Sequence, residues 1–191
     1  MASINKYLTA IQGAVFTAPF CALFLLLVIF SSGSVQAKGI YQTGPEFITE
    51  VFGKKTAEKK TLWLTEDIRQ QTTKILGRVP TGLRVRYHQS EEKTAWILEE
   101  IGKELPITIG VVVSNQQIEQ VKILAFRESR GGEVRYPAYT AQYKGASLTQ
   151  KHKLSKHIDG ITGATLSVWA VNKVATLALY YHSQVISAAT D

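Results

Sequence analysis

The sequence predicts an α+β fold: an antiparallel β meander flanked by helices and preceded by an N-terminal signal or anchor helix. Alternating apolar and polar side chains over Leu83–His88 indicate a strand with one solvent-exposed face. The run Ile107–Val113 is almost entirely β-branched, which is typical of a strand buried on both faces. Between Leu166 and Tyr181 the apolar residues recur at helical spacing instead, so the chain is expected to end in an amphipathic helix.

The N-terminus has the order of a secretory signal. Lys6 precedes an apolar run over residues 14–30, and Val35-Gln36-Ala37 provides a small-residue site for cleavage after Ala37. The run also approaches the roughly 17–25 residues that can span a bilayer, so an uncleaved anchor is the alternative. Lys6 favours an N-terminus on the cytoplasmic side of the membrane. Both alternatives therefore place the rest of the chain in the periplasm or on the extracytoplasmic face of the inner membrane.

Residues 38–80 are predicted to form a helical segment after the signal or anchor over residues 1–37. Pro45 suits the first position of a short helix that reaches Phe52. The polar and basic stretch Lys54–Lys60 predicts a loop. Thr65 then offers a cap before two acidic residues, and the apolar spacing that follows predicts a helix through Leu76, which Gly77 ends.

Residues 81–191 are predicted to form the main folded domain, with a meander of strands. The glycines and mixed charges of Arg127–Arg135 indicate a loop after the last strand. A short helix follows it, with Tyr139 and Tyr143 on one side. The expected strands are 83–88, 94–100, 107–113 and 118–126, and the expected short helix is 136–143.

The composition indicates a basic protein without cysteine chemistry. The chain has 22 basic and 15 acidic residues, a formal charge of +7, and loses one basic and no acidic residue with positions 1–37. Such a domain suits anionic lipid headgroups or an acidic redox partner, although a plainly solvated surface explains the charge equally well. Nucleic acid is not an expected partner, because the basic residues are spread along the chain. The one cysteine, Cys21, lies in the apolar run, which excludes disulfides, cysteine-bound zinc, iron–sulfur clusters and attached haem beyond it.

The segment Asp159-Gly160-Ile161-Thr162-Gly163-Ala164-Thr165 stands directly before the C-terminal helix. Gly163 and Ala164 allow a ligand to approach the backbone closely, and Thr165 places a hydroxyl at the helix start. Unpaired N–H groups and the positive end of the helix dipole make such a start an anion site, which suits a phosphate. The alternative is a threonine that caps the helix with nothing bound, since Ser and Thr are preferred there.

This segment resembles the flavinylation motif of the extracytoplasmic FMN-binding domain family, which includes the C and G subunits of the sodium-pumping NADH:quinone oxidoreductase and of the Rnf complexes. The family pattern is Asp, two variable residues, Ser or Thr, then Gly-Ala-Thr, with a further hydroxyl and Ala-Val. Thr162, where Ser is commoner, and Val168, where Ser is often found, depart from it. The resemblance extends loosely over about residues 80–185. The matching residues are Asp159, Thr162, Gly163, Ala164, Thr165, Ser167, Ala170 and Val171.

The resemblance implies that residues 81–191 are an FMN-binding domain, with FMN joined covalently to Thr165 through a phosphoester. It implies a separate flavin transferase that uses FAD and magnesium, and a redox partner at the membrane or in the periplasm. Asp159 would order the motif backbone or help to position magnesium and the Thr165 hydroxyl. No residue is expected to be catalytic or to bind a resident metal. The implied cofactor-binding residues are Thr165, Asp159, Thr162, Gly163, Ala164, Leu166, Ser167, Glu128 and Trp169.

Three of these features have a second interpretation, which the sequence by itself favours. Glu128 and Gly131 correspond to an acid and a glycine turn near the flavin in many family members, but a solvated loop is the alternative. Trp169 lies one turn after Thr165 and would pack against the flavin ring, or belong to the core. The basic segment 151–157 would offset the flavin phosphate, or be an exposed loop; its two histidines complete no metal set.

We therefore expect an electron carrier rather than an enzyme acting on its own metabolite. The flavin would supply the redox chemistry, and the protein its position, electrostatics and retention. Covalent attachment suits an exported protein, because it replaces a binding equilibrium with permanent occupancy. Two alternatives stay open: an exported interaction module that is never flavinylated, and a flavin reductase subunit that acts on a small acceptor such as a ferric chelate or a quinone.

Overall fold

The computed structural model describes residues 39–53, 55 and 57–188. The predicted signal or anchor over residues 1–37 therefore lies outside the described residues. Within the described part of the chain, no helix is both long and apolar enough to cross a membrane.

A five-stranded antiparallel sheet forms the centre of the fold, and its strands pair in chain order. The meander predicted from the sequence is therefore confirmed, with one strand more than expected. Its last turn is tight, because Asn115 and Gln116 both have positive φ (51° and 60°), as a two-residue hairpin turn requires. The strands are β1 (Glu58–Trp63), β2 (Arg84–Ser90), β3 (Lys93–Ile101), β4 (Pro106–Ser114) and β5 (Gln117–Phe126).

Strand β1 corrects the last three residues, 58–60, of the loop predicted over Lys54–Lys60. It pairs with β2 along its whole length, from Glu58 opposite Gln89 to Trp63 opposite Arg84. As the edge strand it is exposed at almost every position, so its sequence shows no apolar alternation. Charged side chains are a common feature of edge strands, where they oppose pairing with another chain. The charge that suggested a loop is thus compatible with a strand.

Four α-helices flank the sheet within the described residues, and the helices predicted beyond residue 37 are confirmed. Helix α1 is Gly44–Phe52, capped reciprocally by Thr43 and Glu46. Helix α2 is Glu66–Leu76 and ends at Gly77, whose φ is 75°. The predicted short helix is α3 (Pro137–Thr140), with 3₁₀ turns before and after it, and the C-terminal helix is α4 (Thr165–Ser187).

The two faces of the sheet are covered by different helices. Helix α1 packs on one face, where Phe47 meets Ala95, Val112 and Leu124. Helices α2 and α4 cover the other face in the larger apolar cluster, which includes Trp96. Because both faces are covered, β4 is buried at most of its positions, as its β-branched sequence predicts.

Hydrogen bonds fix the direction of α4 across the sheet. His182 bonds Thr94 at the start of β3 (2.8 Å), and Lys173 lies 3.4 Å from Glu100 near the end of that strand. The N-terminus of α4 therefore lies at the end of the sheet that carries the β3–β4 turn. Thr165 is the first residue of α4, so the motif is placed at this end.

Candidate functional site

The start of α4 is open, because no side chain caps it among the described residues. Ala164 occupies the cap position, and Thr165 follows as the first helical residue with its side chain exposed. The interpretation of Thr165 as a capping residue is therefore wrong. In contrast, Thr43 does cap α1. The free N–H groups and the exposed hydroxyl at the start of α4 together fit a phosphate bonded to that hydroxyl.

The motif backbone brings the helix start to the surface. Gly163 has a φ of 82°, and a Cβ built on it meets no atom within 4 Å. Ala164 N–H donates to the carbonyl of Ile161 (2.9 Å), which closes a turn just before the helix. Gly163 therefore supplies the left-handed conformation this turn needs, with open space beside it.

Two cavities flank Thr165 and share it as a lining residue. The larger, about 990 Å³, lies between α4, α2 and the segment 151–162; we call it the lysine cavity. The smaller, about 600 Å³, lies between α4, the β3–β4 turn and the loop after β5; we call it the Glu128 cavity. Both volumes fall in the range typical of cofactor sites, roughly 300–1,000 Å³. A group bonded to Thr165 can therefore extend to either side.

The lysine cavity is strongly basic. Its lining contains five lysines and two histidines but no Asp or Glu. Lys173 is held near Glu100, which lies outside the cavity and also binds Arg78 (2.6 Å). The other four lysines form no ion pair with the described residues, so the cavity carries a positive potential. They are Lys74, Lys151, Lys153 and Lys156.

A chain of buried hydroxyls ends at the lysine cavity. The hydroxyls of Tyr139 and Tyr143 lie 2.9 Å apart, and the hydroxyl of Tyr143 donates to Oδ1 of Asn172 (2.6 Å). Burial raises the pKa of Tyr143 far above its usual value, so it stays protonated as a donor. Asn172 lies on α4 and lines the cavity. Its amide orientation is thus set from beneath the site.

Glu128 is held by backbone rather than by side chains. Its Oε1 accepts the N–H groups of Lys103, Glu104 and Leu105 at 2.6, 2.6 and 2.9 Å. Desolvation raises the pKa of Glu128, but these bonds and nearby Lys103 outweigh it, so the net pKa is lowered. The contact ties the loop after β5 to the β3–β4 turn. Glu128 and Thr165 consequently line the same cavity. A merely solvated loop would not need these contacts, so the structure favours Glu128 as part of the wall of the site.

The predicted site residues divide between the two cavities. Thr162 and Trp169 line the lysine cavity. The side chain of Trp169 is 57% exposed, so its assignment to the core is wrong. Those on the other side, in the Glu128 cavity, are Gly163, Ala164, Leu166, Ser167 and Glu128.

Asp159 lines neither cavity. Its carboxylate is 83% exposed and lies 3.7 Å from His157, and it forms no hydrogen bond with the motif backbone. The backbone is held differently, because the N–H of Asp159 donates to Oε1 of Gln142 (2.8 Å). The prediction that the Asp159 side chain orders the motif backbone is therefore wrong. Within the described residues no cluster of His, Cys, Asp and Glu could hold a metal ion.

The family model described as FMN-binding domain matches residues 102–180. An FMN-binding domain is therefore found over this segment, which includes Glu128, Thr165 and most of both cavities. No curated protein matches the chain. The domain match supports a flavin-binding protein with FMN as the cofactor. Asn172, Tyr143, Gln142 and Lys74 belong to the site region but were not predicted from the sequence.

Proposed function

We propose that this protein carries FMN covalently on Thr165 and passes electrons between redox partners outside the cytoplasm. The observation that carries the proposal is the free hydroxyl of Thr165, at an uncapped helix start inside a segment matched by the FMN-binding domain model. In the attachment step the Thr165 oxygen bonds to the FMN phosphorus of FAD. The bond between the two phosphates breaks, AMP leaves, and the hydroxyl proton is released. A separate transferase with magnesium would catalyse this step.

The open geometry supports a carrier. Thr165 is exposed and Trp169 is more than half exposed, so a group between them is accessible to a docking protein. A covalent bond makes a deep noncovalent pocket unnecessary, because the cofactor cannot be lost by dilution. Asp159, the first residue of the motif, is exposed, so it is available to help position magnesium and the hydroxyl while the transferase is bound. Export by the N-terminal segment completes the proposal.

The test compares Thr165→Val with Thr81→Val after co-expression with a flavin transferase. Thr81 is an exposed threonine that lies outside the motif and lines neither cavity, so its variant is a matched control. We expect the mass of FMN and in-gel flavin fluorescence in the wild type and in Thr81→Val, and neither in Thr165→Val. Thr165→Val should fold normally, because its hydroxyl bonds no described residue. Covalent flavin that persists in Thr165→Val would contradict the proposal, and a colourless wild type would favour the interaction module.

A further inference from the structure

We propose that the isoalloxazine ring lies in the lysine cavity, where Asn172, held by Tyr139 and Tyr143, donates a hydrogen bond to it. This inference rests on the proposed attachment to Thr165. It chooses between the two cavities that share this residue, and it assigns a role to a residue outside the motif.

The spacing along α4 suits this placement. Asn172 is seven residues after Thr165, two turns further along the same face, and both line the lysine cavity. The rise of an α-helix places them about 10 Å apart along the axis. The ribityl chain between phosphate and ring gives a tethered ring a reach of this order. Trp169 lies between the two positions on the same helix and also lines the cavity, where it offers an aromatic surface.

The orientation of Asn172 leaves a donor for a ligand. Its amide oxygen accepts the hydroxyl of Tyr143 (2.6 Å), and Tyr143 is fully buried. The amide N–H groups donate to no described side chain or backbone atom. Asn172 lines the cavity, so these N–H groups are available to a carbonyl oxygen or a ring nitrogen. Tyr143 is thus a positioning residue, and Tyr139 supports it through their shared hydrogen bond.

The charges also favour the lysine cavity. After esterification to Thr165 the phosphate is a diester with a single negative charge. Four lysines without an ion pair exceed that charge, so positive charge remains to stabilise the anion of the reduced ring. The Glu128 cavity contains two carboxylates, Glu104 and Glu128, beside its basic residues. A ring placed there would lack this positive surplus.

The experiment measures the flavin midpoint potential and absorbance of purified, covalently loaded protein during reductive titration with dithionite. Asn172→Asp keeps an acceptor for Tyr143 but replaces the amide donor by a carboxylate. We expect it to lower the equilibrium constant for reduction about tenfold, about 30 mV for a two-electron couple. Tyr143→Phe should shift the potential in the same direction by less. Intact mass must show FMN on each variant.

Two exposed basic residues decide which cavity holds the ring. Lys153 lines the lysine cavity and Arg130 lines the Glu128 cavity, and neither forms an ion pair with a described residue. We expect Lys153→Gln to lower the potential and Arg130→Gln to leave it unchanged. A shift with Arg130→Gln alone would place the ring in the Glu128 cavity and overturn the inference. Potentials unchanged in every variant would overturn it as well. Absence of FMN from the wild type would instead contradict the proposed function.

Discussion

At the residue scale, a buried chain of hydrogen bonds joins Trp96, Thr94 and His182. Nε1 of Trp96 donates to the hydroxyl of Thr94 (2.8 Å), so the proton of that hydroxyl is free to donate to Nδ1 of His182 (2.8 Å). With Nδ1 as the acceptor of this hydrogen bond, the imidazole is neutral. His182 is 1% exposed, and burial lowers its pKa from 6.5 to about 4. A buried neutral histidine of this kind links stability to pH.

His182 should make the protein less stable in weak acid. Below pH 6.5 the imidazole of His182 is protonated in the unfolded chain but stays neutral in the folded protein. The free energy of unfolding therefore falls as the pH is lowered, until about pH 4, where the folded imidazole also becomes protonated. The loss over this window is about 3 kcal/mol. Urea unfolding of the wild type and of His182→Gln at pH 7 and pH 4.5 measures it. The difference between the two proteins should shrink at the lower pH.

His157→Gln is the control for this measurement, because the side chain of His157 is 89% exposed. Its stability should follow that of the wild type at both pH values. An unchanged difference between wild type and His182→Gln across the window would contradict the prediction.

At the scale of elements, the sequence predicts those helices and strands whose signals lie in a few consecutive residues. The acidic first turn and Gly77 define α2, and the β-branched run defines β4. Strand β1 was missed because an exposed edge strand needs no apolar alternation. The sequence does not indicate Asn172 for a different reason: Tyr143, whose hydroxyl donates to it, is 29 residues away. The prediction for Thr165 rests on a contiguous motif, which the sequence displays directly. The sequence favours Trp169 as a core residue, because helical spacing alone does not tell which face of the helix is covered.

The loop after β5 meets the start of α4 through Gly131. Its φ is 82°, and a Cβ there would lie 2.7 Å from Oγ of Ser167, two residues after Thr165. We expect Gly131→Ala to destabilise the protein by about 1–3 kcal/mol, because it adds backbone strain and a close contact. It should also slow flavin attachment, since the loop and the helix start must move apart. Urea unfolding and the mass-determined FMN occupancy measure the two effects.

Gly160→Ala is the matched control within the motif. Gly160 does not have a positive φ, and a Cβ on it meets no atom within 4 Å. Its stability and FMN occupancy should resemble those of the wild type. Equal losses in the two variants would show that the contact between Gly131 and Ser167 has no particular role.

At the scale of the whole molecule, the net charge of +7 is not evenly distributed over the surface. Most acidic side chains near the site are already engaged, as Glu100 is by Arg78 and Lys173. The lysine cavity has no carboxylate of its own and gathers lysines from α2, α4 and the segment between α3 and α4. The fold thus concentrates positive charge on one side of Thr165. Composition gave the sign of the charge, but only the packing of separate segments gives its location.

This concentration predicts how the loaded, reduced protein exchanges electrons with small metal-complex acceptors. A positive cavity raises the local concentration of anions, so an anionic acceptor should react faster than a cationic acceptor of similar potential at about 10 mM salt. At 1 M salt the screening length falls from about 30 Å to about 3 Å, and the two rates should converge. Stopped-flow oxidation of the flavin measures both rates.

Replacing Lys74 and Lys153 together by Gln should lower the rate of flavin oxidation by the anionic acceptor several-fold at low salt. The rate at high salt should be unchanged, because only long-range attraction has been removed. A rate independent of acceptor charge at low salt would mean that electrons leave the protein away from the lysine cavity.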